Sequence, residues 1–508
     1  MRSGSSFAAT GTEIRWLFLR LRQHSRPAPT PYVIFAVTTT AALSTIGTYI
    51  GRGWVRPIMK DSLHDDFSRT PVANFNLRPW WYLLVIEMGV MISIPIFVLG
   101  GQLGLGLTLR DLIIATFCGA AVLGVIGGLT ARLGAVTRCS TALIARATFG
   151  KKGCACIALL LAMGMTGWWG VQTEMFANAV VQLAQQLFHL TLSREFMIAV
   201  GGAAMITTAA LGIKAIGRLS YLAVPMLLAG LAYALTALRD PANLQLLFSY
   251  HPTSASSSLT IGAAAATVAG GFIVGASMNP DYSRFALTRR HAVGYAVTDY
   301  AFVYPLLLII CGIIGIVCHS NDIMVHLVPI GFTWIVFVMM MFATWAANDC
   351  NLYSSSLSLA AVLPSLRRSH LAIMAGVIGI LLAEFHLAEH MISFLTLLGI
   401  LIAPISGVFV VNAMGRKQAL TAEDLTQVSD WHYGPLLAWL CGATLGYIAT
   451  PKEALGLGLM QLTTLPTLDS VLGASAVMLV IKLLQRTKSP APCEFVQPEP
   501  VLVSTHSE

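Results

Sequence analysis

The chain has 508 residues, 56% of them hydrophobic and 11% charged, with a net charge of +8 and a mean hydropathy of +0.74. Soluble domains carry about 25% charged residues, so this composition excludes a soluble enzyme or a nucleic-acid-binding domain and points to a polytopic, all-α membrane protein. The positive surplus is then a matter of topology, because cytoplasmic loops collect Lys and Arg.

In chain order, residues 1–58 form an N-terminal extension in which Tyr32–Gly51 is apolar and uncharged. This is either an extra hydrophobic helix or an over-extended reading frame. Spanning would leave Arg15, Arg20, Arg22 and Arg26 outside against the charge rule, whereas Met59 opens an ordinary polar lead over 59–79. The natural start is therefore expected at Met59, and a native peptide from residues 1–50, found by mass spectrometry, would contradict that.

Twelve apolar runs follow, centred on 80–105, 112–133, 156–183, 196–213, 219–237, 259–282, 293–317, 330–357, 370–387, 391–413, 433–450 and 467–485. Each is close to the roughly 20 residues that a helix needs to cross a bilayer. If the lead is cytoplasmic, 17 basic residues fall inside (Arg132, Arg138, Arg146, Lys151, Lys152, Lys214, Arg218, Arg284, Arg289, Arg290, Arg367, Arg368, Arg416, Lys417, Lys482, Arg486, Lys488) and 4 outside (Arg110, Arg194, Arg239, Lys452). That bias predicts twelve spans with both ends of the core cytoplasmic. The proline-rich tail 488–508 is expected to be disordered, and the nine scattered cysteines, without a CxxC pair, read as small core residues.

Polar groups at membrane depth are costly and are functional candidates: Glu87 in the first span, Glu174 in the third, Asp299 in the seventh and Asp349 in the eighth. Each is otherwise a carboxyl hydrogen-bonded between helices. Pro95 with Gly100, Gly101, Gly104 and Gly106 predicts an interrupted first span, and Gly270, Gly271, Gly275 and Pro280 an interrupted sixth. Paired broken helices in the two halves point to a transporter's central site, and a repeat of five spans is inverted because five is odd. In the third span, Trp168 and Trp169 sit at depth between Gly167 and Gly170, where a flat ring can stack on a flat ligand or pack in the core. Asn348, Asn351 and Ser355 recur at helical spacing along FATWAANDCNLYSSSL and predict a stripe facing the bundle interior.

Six ordered motifs between Asp65 and Lys482 together resemble the nucleobase:cation symporter family, in its bacterial cytosine-permease branch. They are LGGQLGLGL, GLTARLGAVTRCSTALIARATFGKKG, GWWGVQTEMFANAV, GGFIVGASMNPDYSRFA, WAANDCNLYSSSL and FLTLLGILIAPISGVFVVNAM. The resemblance implies a leucine-transporter-like fold: five-helix repeats over 80–238 and 259–413, inverted, plus two last helices over 433–485, working by alternating access. It also implies symport of a planar heterocycle with Na⁺ or H⁺, and carries over Trp168 as stacking platform, Phe272 opposite it and Asn348 as amide partner.

Three pocket positions depart from cytosine permeases: Met165 stands for a Gln, Gly271 for a Ser and Ser93 for an aromatic residue in the first-span break. The implied Na⁺ site takes the carbonyls of Gly89 and Ile92 and eighth-span hydroxyls, whose positions are Ala346 and Ala347 here. A hard cation needs oxygen ligands, so H⁺ is favoured over Na⁺, with Glu87 the leading coupling group and Glu174 or Asp299 next. The implied substrate is cytosine- or purine-like, with hydantoins, allantoin and vitamin precursors also open. The expected location is the bacterial inner membrane, with no cofactor beyond the coupling ion. A non-transporting membrane sensor is the rival from another class, while the chain shows no HExxH, GxSxG or metal-ligand histidine cluster to suggest an enzyme.

Overall fold

The computed structural model describes residues 67–488 apart from 253–258, 320–332, 417, 453–454, 464 and short stretches between 212 and 234. The extension 1–58, nearly half of the predicted fifth span and the tail from 489 onward therefore lie outside the described residues. Among the described residues the regular structure is helical, with one isolated backbone bridge between Arg78 and Ala286.

The first predicted span is two helices, α1 (Trp80–Met91) and α2 (Ile94–Gly106), bent by 65°. The amides of Ser93 and Ile96 donate to the Met91 and Ser93 carbonyls, and Pro95 has no amide hydrogen to offer. The helical ladder therefore lapses, which frees the Gly89 and Ile92 carbonyls from their i+4 partners.

Next come α3 (Leu109–Thr137), capped by the Thr108 hydroxyl, a short α4 (Thr141–Phe149) capped by Ser140, and the 38-residue α5 (Lys151–Phe188). Then follow α6 (Arg194–Ala210), α7 (Pro241–Ser249), α8 (Ile261–Met278) and α9 (Pro280–Ser283). The seventh span is α10 (Arg289–Thr298), one π-helical turn over Asp299–Val303, and α11 (Tyr304–Cys318). The chain closes with α12 (Thr333–Val362), α13 (Arg368–Glu384), α14 (Met391–Leu401), α15 (Ala403–Asn412), α16 (Ala422–Thr426), α17 (Tyr433–Ala449) and α18 (Pro466–Lys488). Among the described residues six helical stretches are long and apolar enough to cross a bilayer, or seven if the bent pair α1–α2 is one span.

The predicted interruption of the sixth span needs correcting. Helix α8 runs unbroken through Gly270, Gly271 and Gly275, and the ladder lapses only at Asn279, ahead of Pro280. Glycine keeps its amide and lowers helix propensity without cutting the ladder, whereas proline removes a donor. The Ala276 carbonyl that Pro280 cannot serve is bonded instead by the Thr130 hydroxyl of α3 at 2.6 Å. The fold thus mends the sixth span from a neighbour and leaves the first one open.

Equivalent spans of the two repeats face each other. Helix α3 packs on α10 and α11, α5 on α12, and α6 on α13, so spans two, three and four meet spans seven, eight and nine, as a two-fold relation between repeats requires. Loops that the charge count assigns to one side are also bonded together. The Arg138 guanidinium donates to the Ala286 carbonyl, Arg69 to the Leu366 carbonyl, Arg146 to the Leu425 carbonyl at 3.0 Å, and Lys152 pairs with Asp430 at 2.8 Å. At the other end Arg194 bridges Glu174 and Glu384, and the Leu259 amide donates to Gly106.

The glycines of the first span serve close approach. A side chain at Gly104 would run into the backbone carbonyl of Gly312 on α11, which cannot yield as a flexible side chain would. Gly104→Leu is expected to destabilise by at least the ~1–3 kcal/mol of an overpacked core. Its readout is a lower yield of monodisperse protein and an earlier thermal transition.

Candidate functional site

The bend at Ser93 opens on a cavity between the two repeats. Glu87, Val90 and Ser93 line it from the first span, and Met165, Trp168 and Gln172 from α5. Gly271, Phe272 and Gly275 of α8, Tyr282 of α9, and Asn351 and Ser354 of α12 complete the wall. The first span, α5, α8 and α12 each offer residues three or four apart, which share one face.

Two aromatic faces are held in place by other rings. Trp168 packs edge-on against Phe394 at 6.2 Å, and Phe272 leans on Tyr304 at 5.1 Å and Tyr300 at 6.4 Å. The Tyr304 hydroxyl donates to the Val268 carbonyl at 3.2 Å and lies 2.9 Å from where a Cβ on Gly271 would stand. The hydroxyl absent at position 271 is thus replaced in space by a tyrosine from the seventh span. Trp169, next to the platform, turns away: it is fully buried against Gly379 and Gly202.

The predicted amide partner needs a second correction. The Asn348 amide donates to the Thr173 hydroxyl at 2.9 Å and the Trp169 carbonyl at 3.3 Å, so it ties α12 to α5. Asn351, one turn on, lines the cavity and donates to the Asn348 carbonyl oxygen at 3.5 Å. Gln172, which the sequence reading passed over, stands four residues after Trp168 on the same face and has its buried Oε1 without a partner among the described residues. The i+4 spacing was the available signal. Ser93, Met165, Trp168, Gly271 and Phe272 all reach the cavity, as does Glu87, which is 3% exposed and whose Oε1 has no partner among the described residues.

The predicted cation residues gather beside it. Ala346 and Ala347 are fully buried, and a Cβ on Gly89 would stand 3.5 Å from the Ala346 methyl. The Ser220 hydroxyl, buried and without a partner among the described residues, lies 2.8 Å from the same point.

The other carboxyls are spread out. Glu174 is not in the cavity: it pairs with Arg194 at 3.0 Å and accepts the Ala388 amide at 2.7 Å. Asp299 stands in the π-helical turn, fully buried, with neither carboxyl oxygen partnered among the described residues. Asp349 accepts from the Thr208 hydroxyl at 2.7 Å. The run His386–His390 reads HLAEH, a spacing that zinc enzymes use on helices, but here it occupies a short turn. Among the described residues no group of three or more His, Cys, Asp or Glu has a geometry that could hold a metal ion.

The family model described as permease for cytosine/purines, uracil, thiamine, allantoin matches residues 76–466. The cytosine permease of Escherichia coli (strain K12) is 28% identical over 414 residues, covering 80% of this chain and 96% of the relative. The hydantoin permease of Microbacterium maritypicum is 24% identical over 439 residues, covering 82% and 86%. Among solved structures, a nucleobase-cation-symport-1 family transporter in a closed conformation with bromovinylhydantoin bound superposes with a TM-score of 0.71 at 19% identity, over 83% of this chain and 96% of that one. A Na⁺-coupled sialic acid symporter superposes at 0.59 with 13% identity, over 87% and 95%. These two likenesses show that the chain shares its fold with those two proteins.

Proposed function

The chain belongs to the family of permeases for cytosine/purines, uracil, thiamine and allantoin, and on that premise we propose that it imports a nucleobase or related planar heterocycle by symport, driven by protons rather than Na⁺. One observation carries the reading: Trp168 and Phe272, from opposite repeats, line a single cavity at the bend of the first span. Two ring faces with a sparse polar rim suit a flat ligand with hydrogen-bonding edges. Gln172 and Asn351 each bring a donor and an acceptor to that rim.

Proton coupling is supported by what stands at the cation positions. Two methyls, Ala346 and Ala347, occupy the places of hydroxyl ligands, while a carboxyl, Glu87, lies on the cavity wall two residues before Gly89. A carboxyl at membrane depth is a natural proton carrier. The chain is then a carrier rather than an enzyme, seated in a bacterial inner membrane. The basic residues of the bonded loops support a cytoplasmic position for both ends of its core.

Counterflow tests the reading. Proteoliposomes loaded with unlabelled cytosine or adenine are expected to take up the labelled base transiently. The lost hydroxyls also suit a sensor that binds without cycling, and specific binding without counterflow would favour that reading instead.

A further inference from the structure

Glu174, set apart from the cavity, spends both carboxylate oxygens on one short connection. Oε1 pairs with the Arg194 guanidinium at 3.0 Å, and that guanidinium also donates to the Ala383 carbonyl at 2.9 Å, in the last turn of α13. Oε2 accepts the Ala388 amide at 2.7 Å, in the 3₁₀ turn Leu387–His390 that leads directly into α14. The His386 Nδ1 lies 3.7 Å from Oε1. One ion pair therefore fastens the connection between α13 and α14 near both its ends. Neutralising Arg194 accounts for one oxygen of this buried carboxylate; the second holds the turn.

What that turn carries is the start of α14. Phe394 stands in its first turn, and its ring backs Trp168 edge-on at 6.2 Å. The same ring covers Gly167, where a Cβ would meet it at 2.5 Å. The N-cap of α14, His390, makes no side-chain capping bond, so the preceding turn sets where this helix begins. The contacts close a circuit. Helix α5 holds the turn through Glu174, and α14 returns a ring to α5 at Gly167 and Trp168, the latter six residues before Glu174.

Resting on the transport reading above, in which Trp168 is the stacking platform, we propose that Glu174 is a positioning residue for that platform. By holding the turn at Ala388 it keeps Phe394 against Trp168, so the indole is set before a ligand arrives. Glu174 then exchanges no proton and touches no substrate. Its contribution is preorganisation: a side chain that must be immobilised on binding lowers affinity by about 2- to 12-fold.

The test is a mutant cycle read by binding of labelled cytosine, adenine and hydantoin to purified protein. Glu174→Leu alone would strand the Arg194 charge, so it is paired with Arg194→Leu, which removes both members of the ion pair and still releases the Ala388 amide. This double variant should bind about 2- to 12-fold more weakly than wild type, and hydrogen exchange over residues 386–396 should quicken. Phe394→Leu should weaken binding to a similar extent. Combining the two should add nothing further, because both act on one ring. Glu174→Gln with Arg194→Leu keeps a carbonyl acceptor for the Ala388 amide and should bind within about twofold of wild type.

Wild-type affinity or unchanged exchange in the double Leu variant overturns the proposal. So does a full additional loss on combination with Phe394→Leu, or a loss that the Gln variant does not restore. Counterflow by the wild type would leave the transport reading standing in each of these cases. A wild type that neither binds nor exchanges any of the three ligands removes that reading, and the positioning role with it.

Discussion

Trp168→Ala is expected to weaken binding of a labelled nucleobase about 5- to 150-fold, the loss of roughly 1–3 kcal/mol of aromatic stacking, while the protein still folds. Trp168 lines the cavity and rests edge-on against Phe394, so its removal empties a wall that a ligand covers. Trp169→Ala should do the opposite. That ring is fully buried between Gly202 and Gly379, and deleting a buried tryptophan costs about 3–5 kcal/mol of stability. A thermal-shift assay alongside a binding isotherm separates the two. Equal loss of binding in both variants with unchanged stability would refute the assignment of platform and packing roles.

Arg284→Met is expected to be the most destabilising single change at the end of the bundle that holds the bonded loops. The guanidinium is fully buried and donates to the Phe67 carbonyl at 2.7 Å, the Tyr353 hydroxyl at 2.8 Å and the Asp281 carbonyl at 3.1 Å. It also lies 4.8 Å above the Phe285 ring. Its charge acts on the Asp281 carboxyl, whose Oδ1 accepts the Thr141 amide at 2.8 Å. One residue thus joins the segment ahead of α1 to α9 and α12. Removing the guanidinium leaves these buried acceptors without their donor, at about 1–3 kcal/mol each. Thermal unfolding of purified protein should start several degrees lower, with Arg284→Lys intermediate because a lysine keeps the charge and loses the fork. An unchanged transition for the Met variant would contradict this.

Much of the fold was legible because a bilayer leaves few options. Apolar runs become helices, and the polar stripe of the eighth span faces inward, with Asn348, Asn351 and Ser355 all buried. The bend at Ser93 could be anticipated from Pro95, a local cause. The sixth span could not be judged the same way, since Thr130, from another span, mends the ladder that Pro280 breaks. The placement of Asn351 rather than Asn348 on the cavity wall has a similar origin. Both lie on the inward face, and the rotation of α12 against α5 decides which one meets the cavity, which is a tertiary property. Gln172 was within reach of the i+4 rule and was hidden by the neighbouring tryptophan pair. Glu174 could have been paired with Arg194, which lies 20 residues on, since both fall near the same end of neighbouring spans.

Driving force is the most direct test of proton-coupled import. Proteoliposomes prepared without Na⁺ and with an alkaline interior should accumulate labelled cytosine or adenine above the outside concentration, and collapse of the pH gradient should abolish that. An inward Na⁺ gradient at equal pH should add nothing. Accumulation that follows the Na⁺ gradient and ignores the pH gradient would contradict the proton-coupled account and return the cation to the Gly89, Ile92 and Ala346 region.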